Sequence, residues 1–171
     1  VGGFIMDNFK EQLVTTTNKT AYNASKIFMG IFGVLAFFFF VTANLLFGLF
    51  FAVGCGLLFY FKRFLYLEYE YSITNGEVDV DKIMEMKSRK RIITFNMKDA
   101  ELVAPVDSDV YKDFGNKPSE IIKAVPAGNT DRVYAAIITG GAKRAQLLFV
   151  PNEDFINLCF LYNPKAVKKN I

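Results

Sequence analysis

The chain has 171 residues, 52% hydrophobic and 16% aromatic, with 20 Lys and Arg against 17 Asp and Glu for a formal charge of +3. So modest a charge argues against a nucleic-acid binder, and no nucleic-acid partner is expected. There is no histidine and only two cysteines, Cys55 and Cys159, so zinc sites, a disulfide framework and histidine-based catalysis are excluded or remote. No metal or cofactor is implied.

Residues 1–21 form an N-terminal segment. Val1 to Ile5 precede the first methionine, Met6, and read as an upstream start or an added remnant. Ile5, Phe9 and Leu13 fall at helical spacing, which predicts a short interfacial helix before the apolar region.

Residues 22–65 carry the dominant feature, an uncharged apolar run from Ile27 to Phe61 bounded by Lys26 and Lys62. As one helix, roughly 35 residues at about 1.5 Å each would reach roughly 52 Å, too long for a hydrocarbon core of about 30 Å without an extreme tilt. Divided near Thr42-Ala43-Asn44, the run gives two segments of about 17 residues that flanking residues can lengthen. Lys10, Lys19 and Lys26 precede the run, and Lys62 and Arg63 follow it. Positive charge on both flanks predicts a two-helix transmembrane hairpin with both termini cytoplasmic. Val41-Thr42-Ala43 has the small-residue spacing of a signal-peptide cleavage site, but the apolar run continues far beyond it. The lipid bilayer is thus the first expected partner. Within the second segment Gly48, Ala52 and Gly56 recur every four residues as a helix-packing stripe. Two readings of the stripe stay open: packing on Gly30, Gly33 and Ala36 of the first segment, or self-association into a homo-oligomer.

Residues 66–163 alternate in short segments. Leu67, Tyr69, Tyr71 and Ile73 lie on one face of a strand and Glu68, Glu70 and Ser72 on the other. Asn75-Gly76 then turns into a second strand containing Val78 and Val80, a β-hairpin. Further strands are predicted at 90–95, 101–106, 121–125, 132–139 and 144–150, with Gly140-Gly141 turning the last pair. Residues 107–118 read as a loop with one helical turn around Tyr111, a solvated connection unless it carries function. After Pro151, Asn152 caps a helix whose Phe155, Leu158, Cys159 and Tyr162 make one apolar face. Residues 164–171 are a basic tail with Lys165, Lys168 and Lys169.

The clearest local signal is Lys87, Arg89, Lys90 and Arg91, joined by Lys82, in the second hairpin connection. Such a cluster near a membrane attracts anionic phospholipid, at about 1 kcal/mol per well-placed charge. The competing reading is a solvated strand end balanced by Glu85 and by Glu68 or Glu70. No nucleophile with a base, no carboxylate pair in a plausible cleft and no phosphate-binding glycine loop is convincing, so no catalytic residue is assigned. Gly140 to Arg144 suits a hairpin turn better than an anion cradle.

Seven short strands followed by an amphipathic helix is the order of a pleckstrin-homology-like barrel. The segment Tyr69-Glu70-Tyr71-Ser72-Ile73-Thr74-Asn75-Gly76-Glu77-Val78, followed by Lys87-Ser88-Arg89-Lys90-Arg91 before Ile92-Ile93, resembles the opening of bacterial pleckstrin-homology-like domains. The whole chain, with Met6 to Gln12 as its "M-D-x-F-K-E-Q" start, resembles small two-span membrane proteins of Gram-positive bacteria. The resemblance implies a bacterial cell-membrane location and a membrane α-helical hairpin joined to a mainly-β barrel of about seven strands, with the C-terminal helix plugging one end. It implies no activity. The function expected is a membrane-anchored, non-catalytic scaffold that offers its domain to a protein partner; the alternatives are a sensor of anionic lipid and, less favoured, a membrane-surface enzyme.

Overall fold

The computed structural model describes residues 9–16, 19–140 and 144–169. Val1 to Ile5, the Met6 start of the family-like motif and Gly141 of the last predicted turn lie outside the described residues.

Two helices, α1 (Thr20–Val41) and α2 (Leu45–Phe61), form the predicted hairpin, and both are long and apolar enough to cross a membrane. The reversal between them is made by Thr42 to Asn44, with Ala43 at a φ of 58° and the Thr42 hydroxyl donating to the Phe38 carbonyl at 3.1 Å. Aromatic rings fill the seam. Phe39 stacks on Phe51 and Phe32 meets Phe51 edge-on, with centroids 5.6 and 5.4 Å apart.

Before the helices runs a strand, β1 (Phe9–Val14), and after them come β2 (Leu67–Thr74), β3 (Glu77–Met84) and β4 (Ser88–Asn96), in the sheet order β1-β2-β3-β4. The expected interfacial helix at Phe9 and Leu13 is therefore corrected to a strand. Its pairing runs from Phe9 opposite Thr74 to Val14 opposite Tyr69. A six-residue segment gains little as an isolated helix, whereas β2 supplies a full ladder of partners. Gln12 fixes β1 further: its amide donates to the Val150 carbonyl at 2.9 Å and its carbonyl accepts from the Asn152 N–H at 2.7 Å. The helical pair is thus an insertion between two hydrogen-bonded neighbours of one sheet.

The second sheet contains β5 (Ala100–Pro105), β6 (Ile121–Lys123), β7 (Tyr134–Ile138) and β8 (Ala145–Phe149), ordered β5-β7-β8-β6. The expected barrel of about seven strands is therefore corrected to eight strands in two separate four-stranded sheets, and the barrel is not closed. β6 pairs in parallel with β8, which places it at the outer edge of the second sheet. Both sheets share one core. Tyr71, Ile73, Val78 and Val80 meet Ala136, Ile138, Leu147 and Phe149, and the C-terminal helix α4 (Glu153–Tyr162) adds Phe155, Ile156 and Cys159. The Tyr71 hydroxyl ties the layers together by donating to the Ala124 carbonyl and accepting from the Val150 N–H at 3.3 Å. Asn152 caps α4 as the sequence predicts, its side-chain oxygen accepting from the Phe155 N–H at 2.8 Å.

The connection after β5 is pinned to the protein. Ser108 caps a single helical turn, α3 (Asp109–Lys112), as expected around Tyr111. Tyr111 and Phe114 pack on Leu102, Ala104 and Ile137, the Tyr111 hydroxyl donates to Gln146 at 3.1 Å, and Arg132 makes a two-pronged bond to Asp107. The basic tail is docked as well. Val167 bridges Val103 in parallel along β5, and Ala166 and Val167 are buried.

Candidate functional site

The basic residues cluster around the hairpin of β3 and β4. Its turn places Glu85 and Met86 at φ values of 51° and 55°, closed by the Lys87 N–H donating to the Met84 carbonyl at 3.1 Å. The Asn75-Gly76 turn reaches such angles with residues suited to them, whereas two ordinary side chains there cost on the order of 1 kcal/mol each. The Glu85 side chain supplies compensation. Its carboxylate accepts from the Lys62 ammonium at 2.6 Å and from the Tyr22 hydroxyl at 3.0 Å. The hydrogen bond from Lys62 holds the Glu85 carboxyl below the usual carboxylate range. Tyr22 sits in the first turns of α1 and Lys62 directly follows α2, so this one carboxylate fastens the β3–β4 turn to both helices.

A β-bulge then divides the basic run between two faces. Val80 lies opposite Ile93 but Asp81 lies opposite Arg91, which makes Ile92 the extra residue of β4. Arg91 donates to Asp81 at 2.5 Å and also pairs with Asp79, and Arg89 donates to Glu70 at 2.5 Å with Asp81 3.8 Å away. Both arginines are therefore committed to carboxylates. The hydrogen bond to Asp81 raises Arg91 above its already high ordinary value. Burial, and then the neighbouring Glu11, push the Glu70 carboxyl up.

Lysines occupy the opposite face. Lys82 lies directly across from Tyr69 on one side and Lys90 on the other, and cross-strand partners share a face. Tyr69 belongs to the core, so the row Tyr69, Lys82, Lys90 is the inner face of the sheet continued beyond the core's end. Between this row and β6 opens a groove of about 530 Å³ where Lys82, Lys90 and Lys123 surround Tyr69, Ile92 and Ile122. Among the described residues none of these three lysines has an ion-pair partner. Lys87 lies at the turn outside this groove, in a smaller recess of about 270 Å³ beside Tyr60 and Arg63. Of the five basic residues singled out in the sequence, Lys82 and Lys90 thus converge on the groove, Arg91 also borders it while paired with Asp79 and Asp81, Arg89 is paired with Glu70, and Lys87 stands apart.

Lys123 and the apolar walls are not legible in the sequence, because β6 joins the groove only through its non-local pairing with β8. The tail lysines lie elsewhere: Lys169 bonds to the Asn157 side chain at 2.7 Å and stands over the Phe160 ring. In the helical pair a Cβ on Gly48 would meet Phe40 at 2.9 Å and one on Gly54 would meet Phe32 at 2.6 Å. Ala52 lies between them on α2, and Gly56 has open space around it.

Two facing sheets closed at one end by a C-terminal helix define a pleckstrin-homology-like domain, here interrupted between its first two strands by an apolar helical pair. A family model described as a bacterial PH-like domain (DUF6106) matches residues 6–169, and the chain belongs to this family. Domains of this type are generally non-catalytic. No curated protein and no solved structure matches the chain.

Proposed function

We propose that the protein is a membrane-anchored, non-catalytic scaffold whose cytoplasmic PH-like domain receives a segment of a protein partner along β4. The α1–α2 hairpin is the anchor. Its insertion between paired strands supports placing both flanks on one side, and the lysines and arginine at those flanks favour the cytoplasmic side.

The observation that carries the partner reading is the free edge of β4. The sheet ends at β4, the second sheet ends at β5, and among the described residues no backbone hydrogen bond joins the two. The β5 edge is covered by the tail through Val103, Ala166 and Lys168, which leaves β4 as the open side of the gap. An unpaired strand edge is a template for a partner strand. The exposed charged side chains of Arg89, Lys90 and Arg91 on β4 discourage indiscriminate pairing.

Site-specific photo-crosslinking in native membranes tests this. A photoreactive residue at Thr94, exposed on β4, is expected to yield one discrete protein adduct that the same residue at Lys112 on α3 does not. Equal adducts from both positions, or none from Thr94, would overturn the β4 assignment.

A further inference from the structure

We infer that the groove between the β3–β4 hairpin and β6 holds the phosphate head of an anionic membrane lipid, gripped by Lys82, Lys90 and Lys123. This rests on the membrane anchoring proposed above and not on a partner at the β4 edge, although Lys90 belongs to both surfaces. Three observations converge on it.

The first is uncompensated charge. Lys82 and Lys90 are direct cross-strand partners, an arrangement in which like charges destabilise a sheet, and Lys123 approaches from the other sheet. The nearby carboxylates of Glu70, Asp79 and Asp81 are engaged by Arg89 and by Arg91, which borders the groove with its own charge already paired. A bound anion would relieve the repulsion among the three ammonium groups.

The second is the composition of the wall. Tyr69, Ile92 and Ile122 line the groove beside the lysines, and its volume of about 530 Å³ falls in the range of small-molecule sites. A bare phosphate would leave that apolar wall wet, whereas the glycerol and upper acyl portion of a lipid would cover it.

The third is position. Phe64 and Met84 also line the groove; Phe64 follows α2 by one short turn, and Met84 adjoins the Glu85 that is bonded to Lys62 and Tyr22. The groove therefore opens where the two helices leave their apolar zone, at the level of lipid headgroups.

The test uses the full chain reconstituted in neutral phosphatidylcholine nanodiscs containing a photoactivatable phosphatidylglycerol, with adducts mapped by peptide mass spectrometry. Each well-placed lysine near an anionic lipid corresponds to about fivefold in binding. Lys82→Gln with Lys90→Gln is therefore expected to reduce the adduct about 25-fold, and Lys123→Gln alone about fivefold. Lys123 is exposed and unpaired, so its substitution reads the site rather than the fold. Lys87→Gln, equally exposed but outside the groove, should stay within about twofold if the groove rather than general surface charge is read. Soluble glycerol 1-phosphate should not compete.

An equal loss on Lys87→Gln would replace the site with nonspecific attraction, and full competition by glycerol 1-phosphate would assign the groove to a soluble phosphate ester. An adduct indifferent to all the lysine variants, or absent from a chain that has entered the nanodisc, would also overturn the inference. Failure of the chain to enter the bilayer would instead refute the anchoring on which it rests.

Discussion

Replacing Glu85 with Gln tests how the domain is fastened to the helices. The substitution keeps the side chain's length and the turn's backbone demands while removing the charge that Lys62 and Tyr22 address. Both partners of the ion pair are largely shielded, with side-chain exposures of 10% for Lys62 and 16% for Glu85. Breaking a fully buried pair costs about 3–5 kcal/mol, and a hydrogen bond to a charged group contributes about 1.5–3 kcal/mol. Because Gln still accepts hydrogen bonds and some solvent reaches the pair, the expected loss is about 2 kcal/mol. For a chain of this size that lowers the melting temperature by about 4–8 °C, measurable on the purified full-length protein in detergent. The sign with pH follows from the lowered Glu85 carboxyl. Its stabilisation is present above the ordinary carboxylate value of 4.5 and fades as pH falls through the lower folded value, a dependence the Gln variant lacks. Replacing both partners with methionine should recover most of the loss, because neither charge is then left buried alone. A Glu85→Gln melt within about 1 °C of the native protein, or a double variant as unstable as the sum of its singles, would refute this account of the junction.

Tyr71→Phe removes the hydroxyl bound to both the Ala124 carbonyl and the Val150 N–H in the core, and should cost about 2 kcal/mol in denaturant unfolding. Gly76→Ala should cost about 1–2 kcal/mol in the same assay, since Gly76 has a φ of 88° and an added Cβ would meet the Tyr162 ring at 2.9 Å. Glu11→Gln should do the reverse. Glu70 is held above its ordinary range by burial and by Glu11, so its ionisation opposes folding as pH rises; relieving Glu11 should stabilise by about 0.5 kcal/mol at neutral pH. That gain should disappear in melts recorded at low pH, where the Glu70 carboxyl is protonated.

Local chemistry made much of this fold legible. The length of the apolar run and its break at Thr42 to Asn44 favour a helical hairpin, Asn75-Gly76 is suited to a turn with two positive φ values, and Asn152 before Glu153 and Asp154 is a helix start written in adjacent residues. The features that escaped depend on partners far along the chain. β1 pairs with residues on the other side of the helical insertion, so the Phe9–Leu13 spacing alone suggests the wrong period. The bulge at Ile92 is invisible in Arg89 to Ile93, yet it sets Arg91 opposite Asp81 and Lys90 opposite Lys82, so one apparent cluster divides into ion-paired arginines and lysines without ion-pair partners among the described residues. Lys123 stands next to two isoleucines in a short segment, and only the parallel pairing of β6 with β8 brings it to the groove. Closure of the barrel was likewise beyond reach, because it depends on contacts between sheet edges.

The proposed anchor leaves from and returns to one cytoplasmic domain, and cysteine labelling in intact bacterial cells tests this most directly. In a Cys55→Ala background, burial that pushes the remaining Cys159 thiol up to about 12 keeps it silent. Ala43→Cys at the helical reversal, Thr15→Cys before α1 and Lys98→Cys in the domain each add one exposed thiol. A membrane-impermeant maleimide is predicted to label Ala43→Cys in intact cells and the other two only after the membrane is opened. Labelling of Thr15→Cys and Lys98→Cys on opposite sides, or of both in intact cells, would contradict the account.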